Sequence, residues 1–197
     1  MNVGRGKESG ELNVARWLPK SRANGPGERF VLWLQGCGLA CEGCWNPDTW
    51  DFGPRQLLTV NQVMDLVLST AGIEGVTLTG GEPFAQAPAL VPLVQRIRAA
   101  GLSLVVFTGH ELDELRSPAA RAVLEGVDVL VTGRFVLAER DLSLPLRGSR
   151  NQRVVFLTGR HSEFDLEDVA EVEVHLDEAG EIRVTGFPPS ELLRSLP

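Results

Sequence analysis

No apolar run in the 197 residues is long enough to cross a bilayer, and the N-terminal stretch MNVGRGKESGEL lacks the apolar centre of a secretion signal. The expectation is a cytoplasmic protein with no membrane partner. Positive charge is also in short supply. Lys plus Arg number 19 against 26 Asp plus Glu, a net charge of −7, so no whole-molecule field draws phosphate backbones and no nucleic acid is expected as a partner. Internal repeats and low-complexity tracts are absent, and 43% hydrophobic residues suffice for the core of one domain with a small appendage.

Cysteine is scarce and concentrated. All three lie in Cys37-Gly38-Leu39-Ala40-Cys41-Glu42-Gly43-Cys44. An odd, tightly clustered set is not a disulfide framework, and the reducing cytosol disfavours one. Thiolates at spacings of four and three wrap one compact inorganic centre, with Gly36, Gly38 and Gly43 letting the backbone turn tightly around it. Structural zinc takes four protein ligands, commonly as two separated pairs. There is no second pair here, so a Cys3His zinc site would have to recruit His110, His161 or His175 from far along the chain. A four-iron cluster ordinarily takes four thiolates. Three leave one iron open to a non-protein ligand, the feature that separates a reactive metal site from a closed one.

Around this loop, hydrophobic periodicity alternates between strand and helix. Residues 12–19, 29–36, 75–79, 102–109 and 127–133 read as strands, 59–71 and 87–100 as helices, and 111–126 as one or two more. Such alternation implies crossover connections and a parallel sheet. The strands end in glycine-bearing loops at Gly36, Gly80-Gly81, Gly109 and Gly133, and the carboxyl ends of parallel strands form the ligand edge. Residues 37–56 are a long loop of the kind that usually carries function. Beyond the polar stretch 134–152 comes a strand at 153–158, then a hairpin of VEVHLD and EIRVTGF around Glu178-Ala179-Gly180, then a short helix. The division expected is an α/β core over 1–158 and a C-terminal hairpin and helix extension over 159–197.

Cys-x3-Cys-x2-Cys after a first strand, followed by Gly80-Gly81-Glu82-Pro83 after the next, resembles the radical S-adenosylmethionine superfamily. The chain is similar, within it, to the activating proteins of anaerobic ribonucleotide reductase. Asn24-Gly25-Pro26-Gly27, Gly36 through Asn46, Thr108-Gly109 with Leu112-Asp113-Glu114-Leu115, Val129-Leu130-Val131 with Gly133-Arg134-Phe135, and Arg147-Gly148-Ser149 with Asn151-Gln152 fall in that family's order. The likeness spans about residues 24–155 and leaves the hairpin tail uncovered.

The resemblance implies a small, incomplete βα barrel, open on one side. It implies a 4Fe-4S cluster held by Cys37, Cys41 and Cys44, with S-adenosyl-L-methionine on the free iron. It also implies an oxidoreductase that forms a glycyl radical on a large partner enzyme, fed by an electron donor such as flavodoxin or ferredoxin. Family positions for S-adenosylmethionine carry over to Gly43, Cys44, Trp45 and Gly81. The residues themselves agree. Trp45 offers a flat apolar wall, Gly80 and Gly81 let backbone approach, Glu82 can accept from an ammonium, Pro83 stiffens the turn and Thr108 ends a strand on the ligand edge.

Some positions have a plainer reading. His110 reads as a surface loop residue. Thr132 stands where the family often has Asp, which removes a charged acceptor. Arg134, Arg147, Ser149, Asn151 and Gln152 read either as a loop that receives a partner's backbone or as a solvated connection. Two other functions stay open: a radical enzyme acting on another peptide or small molecule, and a non-catalytic metal or iron–sulfur interaction module.

Overall fold

The computed structural model describes residues 10–176 and 180–195. The chain opens with strands β1 (Leu12–Ser21), β2 (Arg29–Leu34) and β3 (Gln56–Leu58), then helix α1 (Val60–Ser69). It continues through β4 (Gly75–Gly80), α2 (Ala87–Ala99), β5 (Ser103–Phe107), α3 (Pro118–Leu124), β6 (Val129–Thr132) and β7 (Arg153–Phe156). A hairpin of β8 (Val172–Leu176) and β9 (Ile182–Gly186) and helix α4 (Ser190–Ser195) complete it. The hairpin's Glu178 and Ala179 lie outside the described residues.

Seven strands form one sheet in the order β3-β1-β2-β4-β5-β6-β7. The parallel sheet expected from the alternating pattern is correct for the centre only. β2, β4, β5 and β6 run parallel, with Val31 beside Thr77, Thr77 beside Val105 and Val105 beside Val129. β1, β3 and β7 pair antiparallel. The β1–β2 turn is too short for a crossover, and the connection into β7 carries no α-helix, so both chains double back. β3 starts at the last residue of the stretch read as loop and fills the gap before the helix expected from residue 59.

Strand alternation divides the sheet into two faces. Phe30, Leu32, Leu34, Val76, Leu78, Leu104, Val106 and Leu130 point one way and pack with Val63, Met64, Val67, Leu90, Val94, Ile97 and Val123 of the helices. Helix α1 starts where Thr59 and Gln62 form a capping box, the Thr59 hydroxyl accepting from the Gln62 N–H and the Gln62 amide oxygen from the Thr59 N–H. Its buried Val60, Val63, Met64 and Val67 repeat at three and four residues.

The other face is more polar. At its amino end Arg29 is fully buried. Its guanidinium donates to Thr77 Oγ1 (2.8 Å), the Pro26 carbonyl (2.8 Å), Ser103 Oγ (2.9 Å), the Val76 carbonyl (2.7 Å) and the Ser103 carbonyl (3.0 Å). Burial lowers its pKa to about 9 against the pull of Asp128 and Glu74. A Cβ at Gly25 would stand 2.8 Å from Arg29 Cδ, which, with a φ of +137°, leaves glycine as the residue that fits. Asn24-Gly25-Pro26-Gly27 therefore closes the amino-end base of the sheet around a cation.

The tail is docked onto the same base. Glu173 accepts from Ser21 Oγ (2.5 Å), the Arg22 N–H (2.9 Å) and the Ala23 N–H (3.3 Å). The buried Asn24 side chain donates to Thr185 Oγ1 at 2.8 Å, and the Ala170 N–H to the Arg22 carbonyl at 3.0 Å.

Candidate active site

The cysteine loop leaves β2 at Gly36 and is closed into a ring by its own far side. The Gly36 N–H donates to the Thr49 carbonyl (2.8 Å), the Cys37 N–H to the Trp50 carbonyl (3.0 Å) and the Cys44 N–H to the Cys41 carbonyl (3.1 Å). Ala40 takes a left-handed φ of 45°, which costs free energy in a residue with a Cβ and fits a loop shaped around something else. Cys37, Cys41 and Cys44 are free and half-buried. Burial pushes the Cys37 thiol up, opposed by the N–H groups of Leu39 and Ala40 that point at its sulfur. The Asn46 N–H points at Cys44 Sγ from 3.4 Å.

Gly80-Gly81-Glu82 meets this ring edge on. A Cβ at Gly80 would stand 2.6 Å from the Leu34 nitrogen, and one at Gly81 would run into the Gly36 carbonyl, to which the Glu82 N–H donates at 2.9 Å. Glycine is thus required for backbone to lie on backbone, a reason the motif by itself does not reveal. Glu82 is buried, and its carboxylate accepts from the Phe84 N–H, Thr108 Oγ1 and the Gly109 N–H, each at 2.9 Å. Desolvation raises its pKa and those three donors work the other way. Glu82 with Thr108 therefore ties the loop after β4 to the loop after β5.

A pocket of about 120 Å³ results. Cys37, Cys41, Cys44, Trp45, Gly80, Gly81, Glu82 and Thr108 all line it, as do Gly109 and Gly133. Gly43 and Pro83 do not. Gly43 turns the loop at a φ of +73° beside Leu137, and Pro83 is buried at the start of a short 3-10 helix. Sequence reading passed over Thr79, Phe107 and Val131, which also line the pocket. The available signal is parity, since these positions share a face with Arg29 and Trp33 once the register is known.

A second cavity of about 430 Å³ adjoins it, sharing Trp45, Asn46, Thr79, Phe107, Phe135 and Gln152. Trp45 stands between the two. The Arg140 guanidinium lies 4.6 Å from its ring centre, and Phe187 meets it edge to face at 5.8 Å. The polar stretch 134–152 is knitted rather than solvated. Gln152 Oε1 accepts from the Gly148 N–H (2.9 Å) and its Nε2 donates to the Gly133 carbonyl (3.0 Å), while Asn151 donates to the Arg134 carbonyl (2.8 Å). Ser149 and Thr132 are buried.

Residues 23–155 match a protein family described as a 4Fe-4S single cluster domain. The anaerobic ribonucleoside-triphosphate reductase-activating protein of Escherichia coli (strain K12) is 38% identical over 154 residues, covering 73% of this chain and 97% of that protein. Its counterpart in Haemophilus influenzae is 36% identical over 149 residues (72% and 96%), and that of Enterobacteria phage T4 35% over 151 (73% and 93%). The chain belongs to the family of anaerobic ribonucleoside-triphosphate reductase-activating proteins.

This family's cofactors are a 4Fe-4S cluster and S-adenosylmethionine. The activating-protein site fits them. Three free thiols face one pocket with backbone N–H groups turned toward two of the sulfurs, the donor set and outer-shell bonding that iron–sulfur centres use. Among the described residues no histidine lines this pocket, and His175 lines the larger cavity.

Proposed function

We propose that this chain activates an anaerobic ribonucleoside-triphosphate reductase by forming a glycyl radical on it. The observation that carries the reading is the convergence of three thiols, without a fourth, on the pocket where Gly80-Gly81-Glu82 ends β4. When bound, the cluster and S-adenosylmethionine supply reductive sulfonium cleavage and a 5′-deoxyadenosyl radical that takes a hydrogen atom from a glycine Cα. The chain's own share is placement. Cys37, Cys41 and Cys44 hold the cluster. Gly80, Gly81 and Trp45 shape the S-adenosylmethionine site, and Glu82 with Thr108 fixes the loops that carry it. Trp45, braced by Arg140 and Phe187, screens the pocket from water on the side of the larger cavity.

In this reading residues 1–158 form the catalytic unit and 159–197 an extension of it. The enzyme works in the cytoplasm, and the half-exposed thiol rim admits electrons from a flavodoxin or ferredoxin. The test is anaerobic reconstitution with iron and sulfide, followed by S-adenosylmethionine and dithionite. Methionine and 5′-deoxyadenosine are expected, and a glycyl-radical doublet in the electron paramagnetic resonance spectrum once the reductase is added. A protein with a full cluster that yields no 5′-deoxyadenosine overturns the reading. Cleavage with no radical on the reductase points to another peptide or small molecule as substrate.

A further inference from the structure

The extension outside the family match supplies one wall of the larger cavity, and it does so in an unusual way. Arg183, Val184, Thr185 and Gly186 are consecutive residues of β9, yet all four line the cavity. Side chains alternate faces along a strand, so four in a row on one cavity means that the strand presents its edge. The pairing identifies which groups lie there. The Phe187 N–H donates to the Glu171 carbonyl, and β8 and β9 pair antiparallel with Thr185 opposite Glu173 and Arg183 opposite His175. In an antiparallel ladder the bonded pairs alternate, so the main-chain groups of 183, 185 and 187 face β8. Those of Val184 and Gly186 face the other way. The two-stranded sheet ends at β9, and among the described residues no backbone hydrogen bond reaches the outward N–H and C=O groups of Val184 and Gly186.

This edge is fixed in place. Thr185 is held by Asn24, and Phe187 rests against Trp45 beside the thiol pocket. The side of the hairpin turned to residues 21–24 carries Glu173, His175, Arg183 and Thr185, and the free edge lies against the cavity that Trp45, Thr79 and Phe107 share with the cysteines.

We propose that the outward edge of β9 captures the glycine-bearing loop of the partner enzyme as an added strand. The inference rests on the function proposed above and deepens it. A glycine Cα is part of the main chain, so a substrate read through its own N–H and C=O groups is held in register at the atom that reacts. An unpaired strand edge recognises an extended peptide in this manner, with little demand on side chains.

The test exploits the direction of one N–H. Val184→Pro removes the outward donor and leaves the inward pairs of 183, 185 and 187 intact, and proline is tolerated in an edge strand at such a position. The expected result is about tenfold weaker binding of the reductase, and of a short synthetic peptide spanning its radical glycine. Cleavage of S-adenosylmethionine without the partner is unchanged. Independently of any variant, the same peptide N-methylated at alternate backbone nitrogens binds the unmodified protein more weakly for one of the two methylation patterns and not the other. Equal binding of both patterns, or undiminished binding to a folded Val184→Pro protein, overturns the proposal. Failure of the unmodified protein to place a radical on the reductase overturns instead the function on which the proposal rests.

Discussion

The two ends of the central strands are built on opposite terms. At the amino ends of β2, β4 and β5, Arg29 is buried with its donors directed at five neutral oxygens, and Gly25 gives it room. At the carboxyl ends the thiols are half-exposed and Ala40 is left-handed. The buried indole N–H groups of Trp45 and Trp50 there have no partner among the described residues. A satisfied polar network specifies one packing, whereas unsatisfied groups and strained backbone persist where a ligand or a reaction requires them. Holding the fold and doing the chemistry are thus assigned to different ends of the same strands.

That division can be broken experimentally. The largest effect belongs to Cys37→Ala, Cys41→Ala or Cys44→Ala, each of which is expected to abolish S-adenosylmethionine cleavage while leaving the urea midpoint of the cluster-free protein where it was. Next comes Arg29→Met, which strands buried oxygens. It should lower stability by about 3 kcal/mol in urea unfolding, with cleavage per cluster unchanged in the fraction that stays folded. Loss of cleavage in that fraction would mean that base and rim are one unit.

Gly81→Ala probes the seam, within the rim, between the cysteine ring and the loop after β4. Its Cβ meets the Gly36 carbonyl, so a cost of about 1–3 kcal/mol is expected, together with a lower iron content after reconstitution. The smallest effect concerns His161, whose pKa is lowered from 6.5 by burial first and by the Arg29 charge next. The unfolded chain then takes up a proton that the folded chain resists. The contribution of neutral His161 is whole above pH 6.5 and is lost as pH falls from there through its lower folded-state pKa, so stability should decline less steeply below pH 6.5 in His161→Asn.

How far the sequence revealed this arrangement depended on the range of the interaction. The cysteine triad and Gly80-Gly81-Glu82 are contiguous, and their chemistry follows from spacing. Helix α1 announced itself through its opening at Thr59 and a regular apolar repeat, whereas the capping role of Gln62 became visible only in the structure. The direction of β7 is not local information, because it depends on how residues 134–152 fold back. The three residues of β3 offer no period to read. Arg29 was hidden for another reason: at the head of a strand, an arginine ordinarily reads as the last exposed residue before an apolar run, and its burial depends on Gly25, Thr77 and Ser103 arriving from three other segments. The tail looked like an appendage because its anchors, Glu173 to Ser21 and Thr185 to Asn24, bridge 152 and 161 residues of sequence.

Those anchors also set an order of events in the making of the protein. Contacts of such separation cannot form until Glu173 and Thr185 have been synthesised, long after Ser21 and Asn24, and closing loops of that size is slow. The base of the sheet around Asn24 therefore stays uncovered while the central strands are already able to pair. Its completion is a late step, taken when β8 and β9 emerge and dock.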